Sequence, residues 1–195
     1  MRVADALIAL TVGVGAISAA RQLHEKRQVR TGRRAPTLAT TRILPSSTGR
    51  LEAVAHWQPG APRTRLGRVA AAAWAAPLTV LGAGLVAAGG GRAAWNRDLG
   101  AYVALGVSGL SGGALRLLGV DANAVGQVIV CRGTRPSRSL LLHEAAHVRQ
   151  CERLGPAIVP LYLWFGARFG YRDNPLERAA RLRARSAGEV RTIRS

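Results

Sequence analysis

Apolar positions in this chain of 195 residues are gathered into blocks of unequal length, and the block lengths predict its elements. The first block, "ALIALTVGVGAISAA" over 6–20, carries no charge but is shorter than the ~20 residues a bilayer crossing needs. A basic run follows it at once in place of a small-residue cleavage site, so it reads as an uncleaved N-terminal anchor. The second block, "VAAAAWAAPLTVLGAGLVAAGGG" over 69–91, has 23 uncharged residues bracketed by Arg68 and Arg92. At ~1.5 Å per residue it is long enough to cross a membrane. Its Pro77 and its glycines weaken a soluble helix but are tolerated in membrane helices. The expectation is a transmembrane helix, with a buried Ala-rich core helix as the other reading.

Between these blocks, 21–68 holds eleven Lys or Arg against Glu25 and Glu52, and is broken by Pro36, Pro45, Pro59 and Pro62. That composition predicts a basic, disordered linker. Beyond 92 the blocks shorten. "GAYVALG" predicts a strand, followed by a glycine-rich loop and a short helix. "AVGQVIVCR" over 124–132 is short and β-branched and predicts one buried strand. Ser137 or Ser139 can cap a helix running to about Leu154, where Gly155-Pro156 ends it. "PAIVPLYLWFGARFG" is apolar and aromatic, suited to packing on a core or lying at a membrane surface. Asn174 then stands as an N-cap with Pro175 at the first position of a basic helix. The residues from 92 to 195 are therefore expected to form an α+β domain of a few strands and helices, preceded by one or two membrane helices.

The chemistry sits on the capped helix, in "SLLLHEAAHVRQCERLG". His143 and His147 are four apart and share one helix face. Their imidazoles can take two corners of a zinc tetrahedron, with Glu144 placed to act as general base on a water. Zinc brings the pKa of such a water to about 7. The flanks Leu140, Leu141, Leu142, Ala145, Ala146 and Val148 suit a buried active-site helix. No His lies within ten residues after His147, so a third histidine at metzincin spacing is excluded. The acidic candidates for a third ligand are Glu152, Asp173, Glu177 and Glu189. Glu177 opens the last helix, where Asn174-Pro-Leu-Glu177 also spells a capping box. Cys151 is eight residues past His143, about 12 Å along a helix, too far to share one ion with it.

"LLHEAAHVRQCERLGPAIVPLY" followed by "YRDNPLERAA" is similar to a group of small bacterial membrane proteins with an HExxHxRQ and YRxNPxExxA pattern. The likeness extends upstream to "WAAPLTVLGAG" and "VGQVIVCR". More widely, an HExxH helix with a downstream Glu-x-x-Ala helix resembles the gluzincin zinc peptidases. The resemblance implies a zincin-like fold, His143, His147 and Glu177 as zinc ligands, and Glu144 as general base. It also calls for an acid after the third ligand, where Arg178, Ala179 and Ala180 stand instead; Asp173 is the nearest substitute. An oxyanion-stabilising side chain is expected too, and Tyr162 and Tyr171 are the candidates.

Lys and Arg number 28 against 10 Asp and Glu, a net +18 that favours polyanions or an anionic membrane face. No nucleic-acid motif is present and the aromatics do not interleave with the basic runs, so no nucleic-acid partner is expected. Two cysteines, Cys131 and Cys151, are too few for a disulfide framework and read as buried free thiols. The whole reads as a membrane-tethered zinc metalloprotease-like protein acting on a peptide substrate, with the strand near Val128 free to pair with it. The alternative is a non-catalytic membrane protein in which zinc ties helix to helix. Counting basic residues next to the apolar segments places the linker in the cytoplasm and the metal-bearing domain outside the bacterial cell membrane.

Overall fold

The computed structural model describes residues 49–192, with 24 and 28; the side chains of Arg50 and of 187–192 are not described. The anchor read over 6–20, most of the linker and the side chain of Glu189 therefore lie outside the described residues. The chain divides into two units, Met1–Trp57 with Val159–Ala179, and Gln58–Ile158 with Ala180–Ser195.

The second unit carries the sheet. Helix α2 (Arg65–Ala88) follows a short α1 (Gly49–Ala55) of the other unit; both begin inside the stretch read as linker. Thr64 caps α2 by accepting from the Gly67 amide at 3.0 Å. Then come β1 (Ala93–Asn96), β2 (Ala101–Ala104), α3 (Gly109–Leu118), β3 (Ala122–Val125), β4 (Val128–Cys131) and α4 (Arg138–Leu154). The sheet order is β1-β2-β4-β3, with β2 and β4 parallel and both outer pairs antiparallel. The protein is α+β, as expected.

The strand β4 is buried at all four positions, and its side chains alternate between two cores. Val128 and Val130 meet Val86 of α2, Ala104, Val107 and Leu115 of α3. Ile129 and Cys131 meet Ala101, Ala122, and Ala145 and Val148 of α4. The sheet is thus covered by α2 and α3 on one face and by α4 on the other, which is why "VIVC" is apolar throughout rather than alternating.

Two expectations are corrected here. The single strand over 124–132 is a hairpin, turned at Gly126 with φ of 63°. A Cβ there would lie 2.3 Å from the Thr79 backbone nitrogen of α2, so only glycine fits. The strand near Val128 cannot pair with a substrate, because β4 is interior and bonded to β2 and β3. The outer strands of the sheet are β1, which is exposed at every residue and shows no apolar pattern, and β3.

Helix α2 is long and apolar enough to cross a membrane, and most of it is not buried. Its buried stripe is narrow and made of small residues, with Ala75, Gly82 and Val86 at its centre. At Gly82 a Cβ would stand 2.6 Å from the Val125 carbonyl oxygen, so the helix lies directly on the sheet. Trp74 seats on Gly155, whose φ of 55° and absent side chain admit the indole.

In the first unit, α5 (Ile158–Asp173) breaks at Gly170, where φ is 77°. Trp164, Phe165 and Phe169 form an aromatic cluster on it with centroids 5.2–6.3 Å apart. Asn174 caps α6 (Pro175–Thr192), its Oδ1 accepting from the Leu176 amide at 3.0 Å. The cap predicted there is present.

Candidate metal centre

Helix α4 begins where the sequence places it. Ser137 Oγ accepts from the Leu140 amide at 3.2 Å, and Gly155 closes the other end. Nine consecutive residues of α4, Glu144 through Glu152, are buried, and Glu144, Arg149, Gln150 and Glu152 among them are charged or strongly polar besides His147. Burial of such groups is costly unless each is paired, and the pairing shows what each does.

His143 and His147 meet edge to face with ring centroids 4.8 Å apart. Their Nε2 atoms face one another at 3.2 Å. Two imidazole nitrogens bonded to one tetrahedral zinc at ~2.0–2.1 Å stand about 3.3–3.4 Å apart, so the pair already holds that edge. Gln150 Oε1 lies 2.8 Å from His147 Nδ1. With the amide oxygen accepting, Nδ1 carries the proton and the Nε2 lone pair is left for a metal. Sequence reasoning noted the "RQ" after the histidine but gave Gln150 no role. The signal was available: Gln150 is three residues past His147 and on its helix face.

Glu177 completes the group. One ligand atom from each of His143, His147 and Glu177 lies within 4.8 Å of the others, and the three could hold a metal ion. Two nitrogens and a carboxylate oxygen are a donor set suited to zinc. Among the described residues this group offers three ligands, the number that leaves a tetrahedral position open. Glu177 is 3% exposed and its Oε1 accepts from the Tyr162 hydroxyl at 2.6 Å. Tyr162 thus holds the carboxylate of a candidate ligand, a role the sequence did not suggest. Tyr171, the other oxyanion candidate, is half-buried just past the break at Gly170.

Other acidic candidates fall elsewhere. Glu152 is committed to a buried ion pair with Arg149 Nη1, and its Oε1 accepts from Gln127 Nε2 at 2.7 Å. The same arginine donates from Nη2 to the carbonyls of Leu99, at 2.9 Å, and Gly100. One buried pair therefore ties α4 to the β1–β2 turn and to the β3–β4 turn. Asp173 is half-buried at the end of α5.

Both cysteines are free and buried, as the sequence predicts. Burial, then the charge of Glu144, pushes the Cys131 thiol up to about 11. Burial raises Cys151 to about 11 as well, against a lowering hydrogen bond from the Gly126 backbone and with a further rise from Glu152. Neither is a thiolate at neutral pH, and neither is among the metal-holding group.

Comparison with protein-family models, with curated proteins and with solved structures finds no match for this chain.

Proposed function

We propose that the chain is a membrane-tethered zinc hydrolase of gluzincin type that cleaves peptide bonds. The observation that supports it is the meeting of three ligand side chains, His143, His147 and Glu177, with Glu144 beside the first of them on a capped and buried helix. A zinc ion held by His143, His147 and Glu177 would supply Lewis acidity and bring the pKa of a water to about 7. Glu144 takes the proton from the attacking water and can return it to the leaving amine. Gln150 keeps His147 in the tautomer that ligates, and Tyr162 keeps Glu177 in place. Helix α2 is the tether, and the metal-bearing part faces away from the cytoplasm.

A ligand count of three favours this reading over zinc as a helix-to-helix tie, which uses four protein ligands. Purified protein should carry one zinc per chain. Glu144→Gln should keep that zinc and lose all cleavage of an unfolded fluorogenic protein substrate, because the amide keeps its size but takes no proton. Full zinc with no cleavage by the unaltered chain would establish the structural role instead. A periplasmic reporter fused after Ser195 that stays silent would reverse the orientation.

A further inference from the structure

We propose that α3 is a second membrane contact, so that lipid meets the protein over the outer faces of α2 and α3 together. This rests on the reading of α2 as the membrane segment and adds an element that crosses nothing. Three observations carry it.

The first is the face that α3 presents. Ser111, Gly112 and Leu115 are buried. The opposite face, Leu110, Gly113, Ala114 and Leu117, is exposed and holds no polar side chain. Leu110 and Leu117, two turns apart, are 82% and 80% exposed. Two leucines so exposed on one face of a ten-residue helix leave apolar area in water with no return.

The second is that α3 is fixed to α2. Ser111 Oγ donates to the Leu85 carbonyl at 2.6 Å and Ser108 Oγ to the Gly89 carbonyl at 3.3 Å. Gly89 has no room for a side chain, since a Cβ would stand 2.1 Å from Val107. Wherever the C-terminal end of α2 goes, α3 goes with it. The outer face of α2 is uncharged from Val69 to Ala88, with Val80 72% and Leu81 57% exposed. By strand alternation Tyr102 points to the same side of the sheet as Ala104, toward α2 and α3. It stacks edge-on with Trp95 at 5.0 Å, both exposed, as aromatic residues do at a headgroup boundary.

The third observation selects lipid over a second copy of the chain. Arg68 and Arg92 bracket the uncharged run, Arg116 flanks the α3 leucines, and the chain carries +18. Such a surface is drawn to anionic headgroups, whereas another copy would bring a second +18 against it.

The test uses the full chain in phosphatidylcholine vesicles containing phosphatidylglycerol. Leu110→Cys and Leu117→Cys are labelled with an environment-sensitive fluorophore; the native thiols are buried. Val80→Cys reports α2, and Asp121→Cys, on an exposed ion pair with Arg132, reports water. Brominated lipid should quench probes at 110, 117 and 80 by at least twofold and leave 121 unchanged. Quenching at 80 with none at 110 and 117 overturns the role of α3 and leaves the tether intact. No quenching at 80 overturns the tether itself. Probes at 110 and 117 that turn blue without lipid as protein concentration rises would assign the face to a second copy.

Discussion

Gln150 Oε1 sits 2.8 Å from Nδ1 of His147, one turn further along the same helix. With the amide oxygen accepting, this bond leaves the His147 Nε2 lone pair open to a metal, and it is made by a residue that is 1% exposed. It also joins Gln150 to the H-E-x-x-H pattern by a direct contact.

Gln150→Leu should weaken zinc binding by roughly 10–100-fold, the usual cost of removing a partner that orients a metal-ligating histidine. Gln150→Glu should keep the acceptor and most of the affinity. Competition with a chromogenic chelator reads both. Equal affinity in all three proteins would mean that His147 is held by packing alone.

Tyr162→Phe separates two roles. Removing the hydroxyl takes a hydrogen bond from Glu177, so zinc affinity should fall by about tenfold. A variant with unchanged zinc affinity and a kcat lowered by a hundredfold would instead make Tyr162 the oxyanion stabiliser.

The seat of α2 on the sheet gives a paired prediction. Gly82→Ala pushes a methyl group into the Val125 carbonyl and should cost ~1–3 kcal/mol. Gly84→Ala has open space around it and should gain ~0.5–1 kcal/mol from helix propensity. Thermal melts in detergent of the two variants should move in opposite directions.

The thiols predict an alkaline limit. Each titrates near 11 in the folded chain against a reference of 9.0, so the folded state keeps protons that the unfolded state has lost. Their contribution is whole below about pH 9 and is lost as pH rises toward 11. Stability should decline over that window, and less steeply in Cys131→Ala/Cys151→Ala. Native protein at pH 8 should react with a thiol reagent only on unfolding, since about a thousandth of each group is thiolate.

Local periodicity and local capping determined much of this protein from its sequence alone. The helix from Ser137 to Gly155, the cap at Asn174, the strand before Leu105 and the length of α2 were all legible. So was the pairing of His143 with His147, because residues four apart on a helix share a face whatever surrounds them. What lay out of reach depends on backbone pairing or on residues far apart in sequence. Strand β1 is held to β2 by main-chain bonds and has no buried side chain to betray it. The turn at Gly126 exists because α2 passes too close for a Cβ, which no window around residue 126 contains. The interior position of β4 follows from sheet order. Glu177 could be a cap or a ligand by spacing. Only the tertiary fold brings it within 4.8 Å of two imidazoles thirty or more residues earlier and sets the Tyr162 hydroxyl on its carboxylate. The physical reason is that side-chain period reports which face is buried, while convergence on one point is decided by how the buried faces are stacked.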